Sequence, residues 1–307
     1  MGDNRDMMIM MLSKIITDRK PKTIQGYVDK YLLAKKEIND FNDEGQLHAF
    51  FKDKKPANKH TYLWSIKTVL DLAPEKNKIA LAWIDGAIDV NKKTINNYYQ
   101  EQRKSVKESD NWITLKELQS YNKRQRTALH AKTNKFTNYD KKALNDARDW
   151  LLTSLYTIDP QNHPPMRVDY NMEIVKEGDE LDPKQNYLVV KNKSTKYFVF
   201  NDYKTSKTYG EKKIKLSKKM NATMNIFLKF NGDNKYIFGE NNITKNALQK
   251  RITKAFSGTG KQLGVNMLRH IVISDTVDTG DKLKEKADIA DKMGHSTATQ
   301  ELYKKHD

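Results

Sequence analysis

Apolar residues recur at helical spacing through most of this chain and switch to strand-like runs in one stretch of its second half. Ile24, Tyr27, Val28, Tyr31 and Leu32 share one helical face, opened by Pro21 and Thr23. Leu63, Ile66, Val69 and Leu70 mark a second helix, limited by Pro74. The basic stretch FKDKKPANKH reads as the connection between them. A third pattern starts near Val90 and takes in Ile95, Tyr98, Tyr99 and Val106, with both tyrosines expected in the core rather than stacked on bases. The polar run SVKESDN, between Lys104 and Asn111, lacks periodicity and reads as a linker.

Beyond it, Thr114-Leu-Lys-Glu117 has the form of a capping box, opening a helix through Leu115, Leu118 and Tyr121. A long helix follows, with Leu144, Ala147, Leu151, Leu152, Leu155 and Tyr156 facing inward. In HPPMRVDYNMEIV an arginine, Arg167, follows a paired-proline turn and leads into an apolar helix. From Asn186 the period changes. Tyr187–Val190, Tyr197–Tyr203 and Ile214–Leu216 read as strands, the last two joined by a hairpin turning near Gly210. Helices resume with Met220, Met224, Phe227 and Leu228, and then with Leu248, Ile252 and Phe256 behind Thr244. Two more apolar patterns close the chain: Met267, Leu268, Ile271, Val272 and Val277, then Leu283, Ala287, Ile289, Ala290 and Met293, with Gly294 as the stop. The expected fold is mainly α, with a small antiparallel β-sheet in the second of two domains, 1–108 and 109–307.

Composition narrows the partner. Fifty-six Lys and Arg against 39 Asp and Glu leave a net charge of +17, which favours a polyanion and salt-sensitive association. Basic groups flank the N-terminal helices at Lys52, Lys54, Lys55, Lys59, Lys92, Lys93, Arg103 and Lys104, and the run NKRQRTALHAKTNK is basic too; each can meet phosphates or simply water. With no cysteine there is no disulfide framework and no cysteine-ligated zinc. No apolar run approaches the ~20 residues of a membrane span, and Met7–Met11 is too short for one, so an intracellular soluble protein is expected. SGTGKQLG lacks the first glycine of a Walker A loop and reads as a turn. His130 reads as a surface residue and His163 as a loop residue.

The chemistry concentrates in VNMLRHIVISDTVDTGDKLKEKADIADKMGHSTATQELYKKHD, which presents Asn266, Arg269, His270, His295 and Tyr303. A tyrosine hydroxyl is a weak nucleophile unless its developing charge is stabilised. Arginine offers a planar, permanently charged fork for two phosphate oxygens. Histidine donates to a third oxygen or moves a proton near neutral pH. This set suits attack on a phosphodiester without a metal. His270 reads instead as a buried structural histidine.

LRHIVIS followed by MGHSTATQELY resembles the C-terminal signature of the tyrosine recombinases, the integrases of phages, viruses and mobile elements. The resemblance covers roughly Thr114 to Asp307. It implies a two-domain clamp, a helical DNA-binding domain plus a catalytic domain, and a homo-oligomer, a tetramer on two duplexes of double-stranded DNA. It makes Tyr303 the nucleophile and sets Arg167, Arg269 and His295 around the scissile phosphate. A hairpin lysine would protonate the leaving 5′ oxygen: Lys204, or alternatively Lys207. No cofactor and no metal is implied. Asn266 stands where the family usually has His or Lys; it can bond a phosphate oxygen but cannot shuttle a proton. The interval from His295 to Tyr303 is one residue shorter than the commonest spacing. Tyr170 stands where the family has an acidic residue, with Asp169 one position earlier, and a salt bridge to Asp169 is the plain structural role for Arg167. The hairpin YKTSKTYG and the lysine-rich composition are similar to those of integrases of large DNA viruses and virophages, which would set the protein to work in a host nucleus or cytoplasm. A type IB topoisomerase or resolvase shares the chemistry without exchange between duplexes. A DNA-binding relative without catalysis is the reading from another class, supported by Asn266 and the short interval.

Overall fold

The computed structural model describes residues 5–133, 140–276, 283–294 and 296–305, and the chain divides into two units, Met1–Glu101 and Gln102–Asp307.

The first unit is helical: α1 (Arg5–Ile15), α2 (Pro21–Lys35), α3 (Glu44–Phe51), α4 (Pro56–Leu70) and α5 (Lys78–Gln100). Proline stands in the first turn of α2 and α4, where its missing N–H costs no helical bond. Ile24, Val28, Leu63, Ile66, Ile84 and Phe51 form the core. Two expectations shift. The stretch FKDKKPANKH is mostly helix rather than connection, with α4 starting in it at Pro56, and an unexpected helix, α3, ends in it at Phe51; the Asp43 carboxylate opens α3 by accepting from the backbone N–H groups of Gly45 and Gln46 (2.8 and 3.2 Å), and Phe51 is buried. The third pattern starts at Lys78 rather than near Val90: Ala80, Ile84 and Ile88 carry the buried stripe, which runs out at Asn91 and leaves Tyr98 45% exposed.

In the second unit the linker Lys104–Asn111 is largely a helix, α6 (Val106–Asn111). Ser105 and Glu108 close a capping box at its start, and Val106 is 79% exposed rather than part of an earlier apolar face. The box expected at Thr114 is present: Glu117 accepts from the Thr114 backbone N–H (2.9 Å) and hydroxyl, and the Glu117 N–H donates to Thr114 Oγ1. It opens α7 (Leu115–Thr133). Next comes α8 (Lys141–Thr157), the axis of the core, burying Ala147, Trp150, Leu151, Leu152, Leu155 and Tyr156. It packs against α7, α10 (Lys218–Asn231), α11 (Lys245–Ala255) and α12 (Val265–Thr276).

The sheet has four strands in the order β1 (Met172–Lys176), β2 (Asn186–Val190), β3 (Lys196–Phe200) and β4 (Lys212–Lys215). It is mixed rather than antiparallel, because β1 runs parallel to β2. The segment after Arg167 is therefore this strand and not an apolar helix. Its other edge bonds the 235–237 segment through Ile174 N–H to Lys235 O and Ile237 N–H to Met172 O. Alternation works as expected: Leu188 and Phe198 face the main core while Tyr187, Val189 and Val199 pack with Leu181 on the opposite face. The β3–β4 connection is not a tight turn. It holds a short helical turn, α9 (Ser206–Tyr209), ended by Gly210 at φ +67°. The chain closes with α13 (Leu283–Lys292) and α14 (Thr297–Glu301); Val277 lies outside the described residues. No helix among the described residues is long and apolar enough to cross a membrane.

Candidate active site

The burial pattern of α12 drives Arg269 inward. Leu268, Ile271 and Val272 fill the core, and Arg269 between them is 0% exposed. One guanidinium nitrogen, Nη1, donates to the Pro165 carbonyl at 2.9 Å. Nε and Nη2 are buried with no hydrogen-bond partner among the described residues. The guanidinium carbon lies 4.9 Å from the centroid of the Tyr303 ring. Arg167 approaches the same tyrosine: its Nη2 donates to Tyr303 Oη over a long 3.4 Å. The turn that carries Arg167 is pinned from below by the Tyr156 hydroxyl, which donates to the Arg167 carbonyl at 2.7 Å. Asp169 does not pair with Arg167. Its buried carboxylate meets Lys245 at 3.1 Å, and Lys245 also reaches Asp202 at 3.0 Å.

Tyr303 follows α14, which Ser296 caps through its Oγ to the Thr299 N–H. Burial pushes the Tyr303 hydroxyl up, but Arg269 foremost and then Arg167 favour the phenolate and hold its pKa below the ordinary value of 10. Tyr156, Tyr170 and Tyr203 go the other way, because burial dominates there; Arg269 opposes it at Tyr156 and Tyr170 without prevailing. Arg269 itself is pushed down by its burial.

The sequence-predicted residues divide as follows. Arg167, Arg269 and Tyr303 converge. Asn266 lies on α12 one turn before Arg269, and its side chain is exposed. Lys204 and Lys207 are exposed on the β3–β4 connection. His295 lies outside the described residues; its neighbours Gly294 and Ser296 are described. Gly294, at φ +69°, ends α13 as the sequence pattern predicts. Its carbonyl accepts from Thr205 Oγ1 at 2.6 Å, and a Cβ there would meet the Tyr203 ring at 3.1 Å. Lys212 reinforces this contact by donating to the carbonyl and carboxylate of Asp291 (2.6 and 2.8 Å). The loop bearing both candidate lysines is thereby docked on the turn between α13 and α14. Asn186 holds the other end of that loop, accepting from the N–H groups of Asn201 and Asp202 at 2.8 Å each.

His270 is half-buried rather than fully buried as expected, and it touches the nucleophile's backbone: Nδ1 lies 2.9 Å from the Tyr303 carbonyl oxygen, with the two rings 4.9 Å apart. Its Nε2 lies 3.8 Å from Glu108 Oε1. His163, read as a loop residue, is buried instead, and its Nε2 accepts the Ser217 N–H at 2.9 Å at the start of α10. Sequence reasoning missed Glu108, Thr205 and Lys212 as supports. Only Glu108 carried a readable signal, the Ser105-x-x-Glu108 box.

Comparison with protein-family models, with curated proteins and with solved structures finds no match.

Proposed function

We propose that the chain is a tyrosine recombinase or integrase that cuts and rejoins double-stranded DNA. The observation that carries this reading is the pairing of a buried arginine, with two guanidinium nitrogens unpartnered among the described residues, and a tyrosine whose hydroxyl a second arginine also reaches. Unpaired buried donors on a permanent cation call for an anion. A phosphodiester fits both the donors and the adjacent nucleophile.

In this mechanism Tyr303 Oη attacks the scissile phosphorus and loses its proton to solvent, and the bond from phosphorus to the 5′ oxygen breaks. Arg167 and Arg269, with His295, offset the charge of the pentacovalent transition state. Lys204, or Lys207 in its place, gives a proton to the leaving 5′ oxygen, and Asn266 bonds a phosphate oxygen. The product is a 3′-phosphotyrosyl link and a free 5′ hydroxyl. Attack by another strand's 5′ hydroxyl reverses the step and releases the tyrosine. The link conserves the phosphodiester energy, so the cycle needs no nucleotide cofactor. A tetramer on two duplexes would serve the exchange.

The test is a nicked suicide duplex built on candidate element ends, resolved on a denaturing gel with and without EDTA. Wild type is expected to form an EDTA-resistant covalent adduct that Tyr303→Phe abolishes. Adducts accompanied by relaxation of supercoiled plasmid but no exchange between duplexes would move the assignment to a topoisomerase. Salt-sensitive DNA binding with no adduct on any substrate would refute catalysis and leave a DNA-binding relative.

A further inference from the structure

The segment that enters the second unit runs back along the segment that carries Tyr303. Gln102 has φ +51°, the one positive φ on a non-glycine residue among those described. Its Nε2 donates to the Glu301 carbonyl at 2.6 Å. The next carbonyl, that of Arg103, accepts from Lys305 Nζ at 3.4 Å. Glu108, held in the capping box of α6, faces His270, whose ring bonds the Tyr303 carbonyl. On the far side, the Lys305 N–H donates to Ser274 Oγ at 2.9 Å, and Lys304 and Lys305 are both buried. The backbone on either side of the tyrosine is thus tied down, and several of the ties come from residues 102–108. A buried lysine in a charged, polar tail has no packing reason to be there; for Lys305 the bonds to Arg103 and to Ser274 of α12 supply one.

We propose that the segment opening at Gln102 is a clasp that positions Tyr303, acting through Gln102 on Glu301 and through the Arg103 carbonyl on Lys305, while His270 Nδ1–H on α12 holds the tyrosine's own carbonyl. The inference rests on the reading of Tyr303 as nucleophile. Gln102 and His270 are positioning residues: neither touches the phosphate. Because this segment is the covalent continuation of the first unit, it gives any tension on the chain at Glu101 a route to the nucleophile. His270 Nδ1–H is the donor to Tyr303. The charged and titratable groups around the ring are Glu108 from α6, Lys305 and Tyr303 from the tail, and Arg269 from its own helix.

The experiment measures amide hydrogen exchange by mass spectrometry across 296–305 in the full chain, alongside adduct formation and DNA binding. Gln102→Ala and His270→Leu are expected to speed exchange in 301–305 at least tenfold, leaving α8 unchanged. They should slow adduct formation at saturating DNA by a similar factor without changing the dissociation constant for DNA. His270→Asn, whose Nδ2 replaces the Nδ1–H donor, should restore both. Unchanged exchange in Gln102→Ala and His270→Leu would overturn the clasp; if His270→Leu fails to fold, Gln102→Ala decides alone. Faster exchange with adduct formation at the wild-type rate would overturn the positioning role. If wild type forms no adduct while exchange still responds, the nucleophile reading falls and the clasp stands.

Discussion

Replacing Arg269 with methionine should make the protein more stable and chemically dead. In the wild type a guanidinium sits at 0% exposure with one hydrogen bond, Nη1 to Pro165 O, while Nε and Nη2 have no partner among the described residues. Each unmade buried bond costs about 1–3 kcal/mol, so relieving two returns about 2–6 kcal/mol. Against this, the Pro165 carbonyl loses its donor, at about 1–3 kcal/mol. Methionine keeps the unbranched apolar stem that packs beside Leu268 and Val272, so the cavity term is small. Methionine also gives up the guanidinium's contact with the Tyr303 ring, about 0.5–2 kcal/mol, so the balance is a gain on the order of 1 kcal/mol. Replacement of buried charges by apolar groups of similar volume has this sign in general. For a unit of this size that is a rise in Tm of about 2–4 °C.

The same geometry requires the reverse with an oxyanion present. Sulfate at 100 times its dissociation constant would stabilise the wild type by about 2.7 kcal/mol and leave Arg269→Met untouched. Calorimetry of the full chain in sodium sulfate and in sodium chloride of equal ionic strength separates the two effects. A variant that melts below the wild type in chloride, together with a wild type that sulfate shifts no more than the variant, would refute the reasoning. Arg269 would then be an ordinary core cation and the anion site would not exist.

Three further outcomes are expected. Tyr303 should ionise below pH 10, seen as the difference between ultraviolet titrations of wild type and Tyr303→Phe; stability then rises with pH between the folded pKa and 10, because the unfolded chain holds the proton longer, and a difference curve centred above 10 contradicts the arginine effect. Burial first pushes His163 from 6.5 down to about 4, so its contribution is complete above pH 6.5 and is lost as pH falls toward 4, on the order of 3 kcal/mol. Urea melts at neutral and acid pH should show this loss in wild type and not in His163→Gln, whose Oε1 can still accept the Ser217 N–H. Gly294→Ala places a side chain in left-handed backbone against Tyr203, costing about 1–3 kcal/mol, and should slow adduct formation more than it weakens DNA binding; an unaltered melt would show that the loop and turn are not packed as described.

What could be read from the residues follows from how local each cause is. The helices α8, α10 and α12 carry unbroken apolar stripes, and the Thr114 and Thr244 caps are contained within four residues, so these elements were legible. β1 was not. Its partners, 186–190 on one edge and 235–237 on the other, lie far along the chain, and five residues of Met-Glu-Ile-Val-Lys fit a short helix as well as a strand. α6 reads as a linker because one valine among five polar residues makes no stripe, although its capping box is in view. The site divides in the same way. Arg167, Arg269 and Tyr303 were legible as residue types in a familiar order, but the meeting of Arg167 with Tyr303 spans 136 residues and no local pattern encodes it. The polar supports, Thr205 on Gly294 and Lys212 on Asp291, have no period at all.

The net charge of +17 and the burial of Arg269 carry different weight for function. Surface lysines are stable in water whether or not a polyanion binds them, so their number names a kind of partner and no location. Arg269 is different. The hydrophobic residues around it would fold at least as well over methionine, so the fold gives no reason to keep a guanidinium there. A group that lowers stability and aims unpaired donors beside a tyrosine has its explanation in what binds next to it. The unpaired donors of Arg269, rather than the number of basic residues, locate the proposed phosphate site at Arg269 and Tyr303.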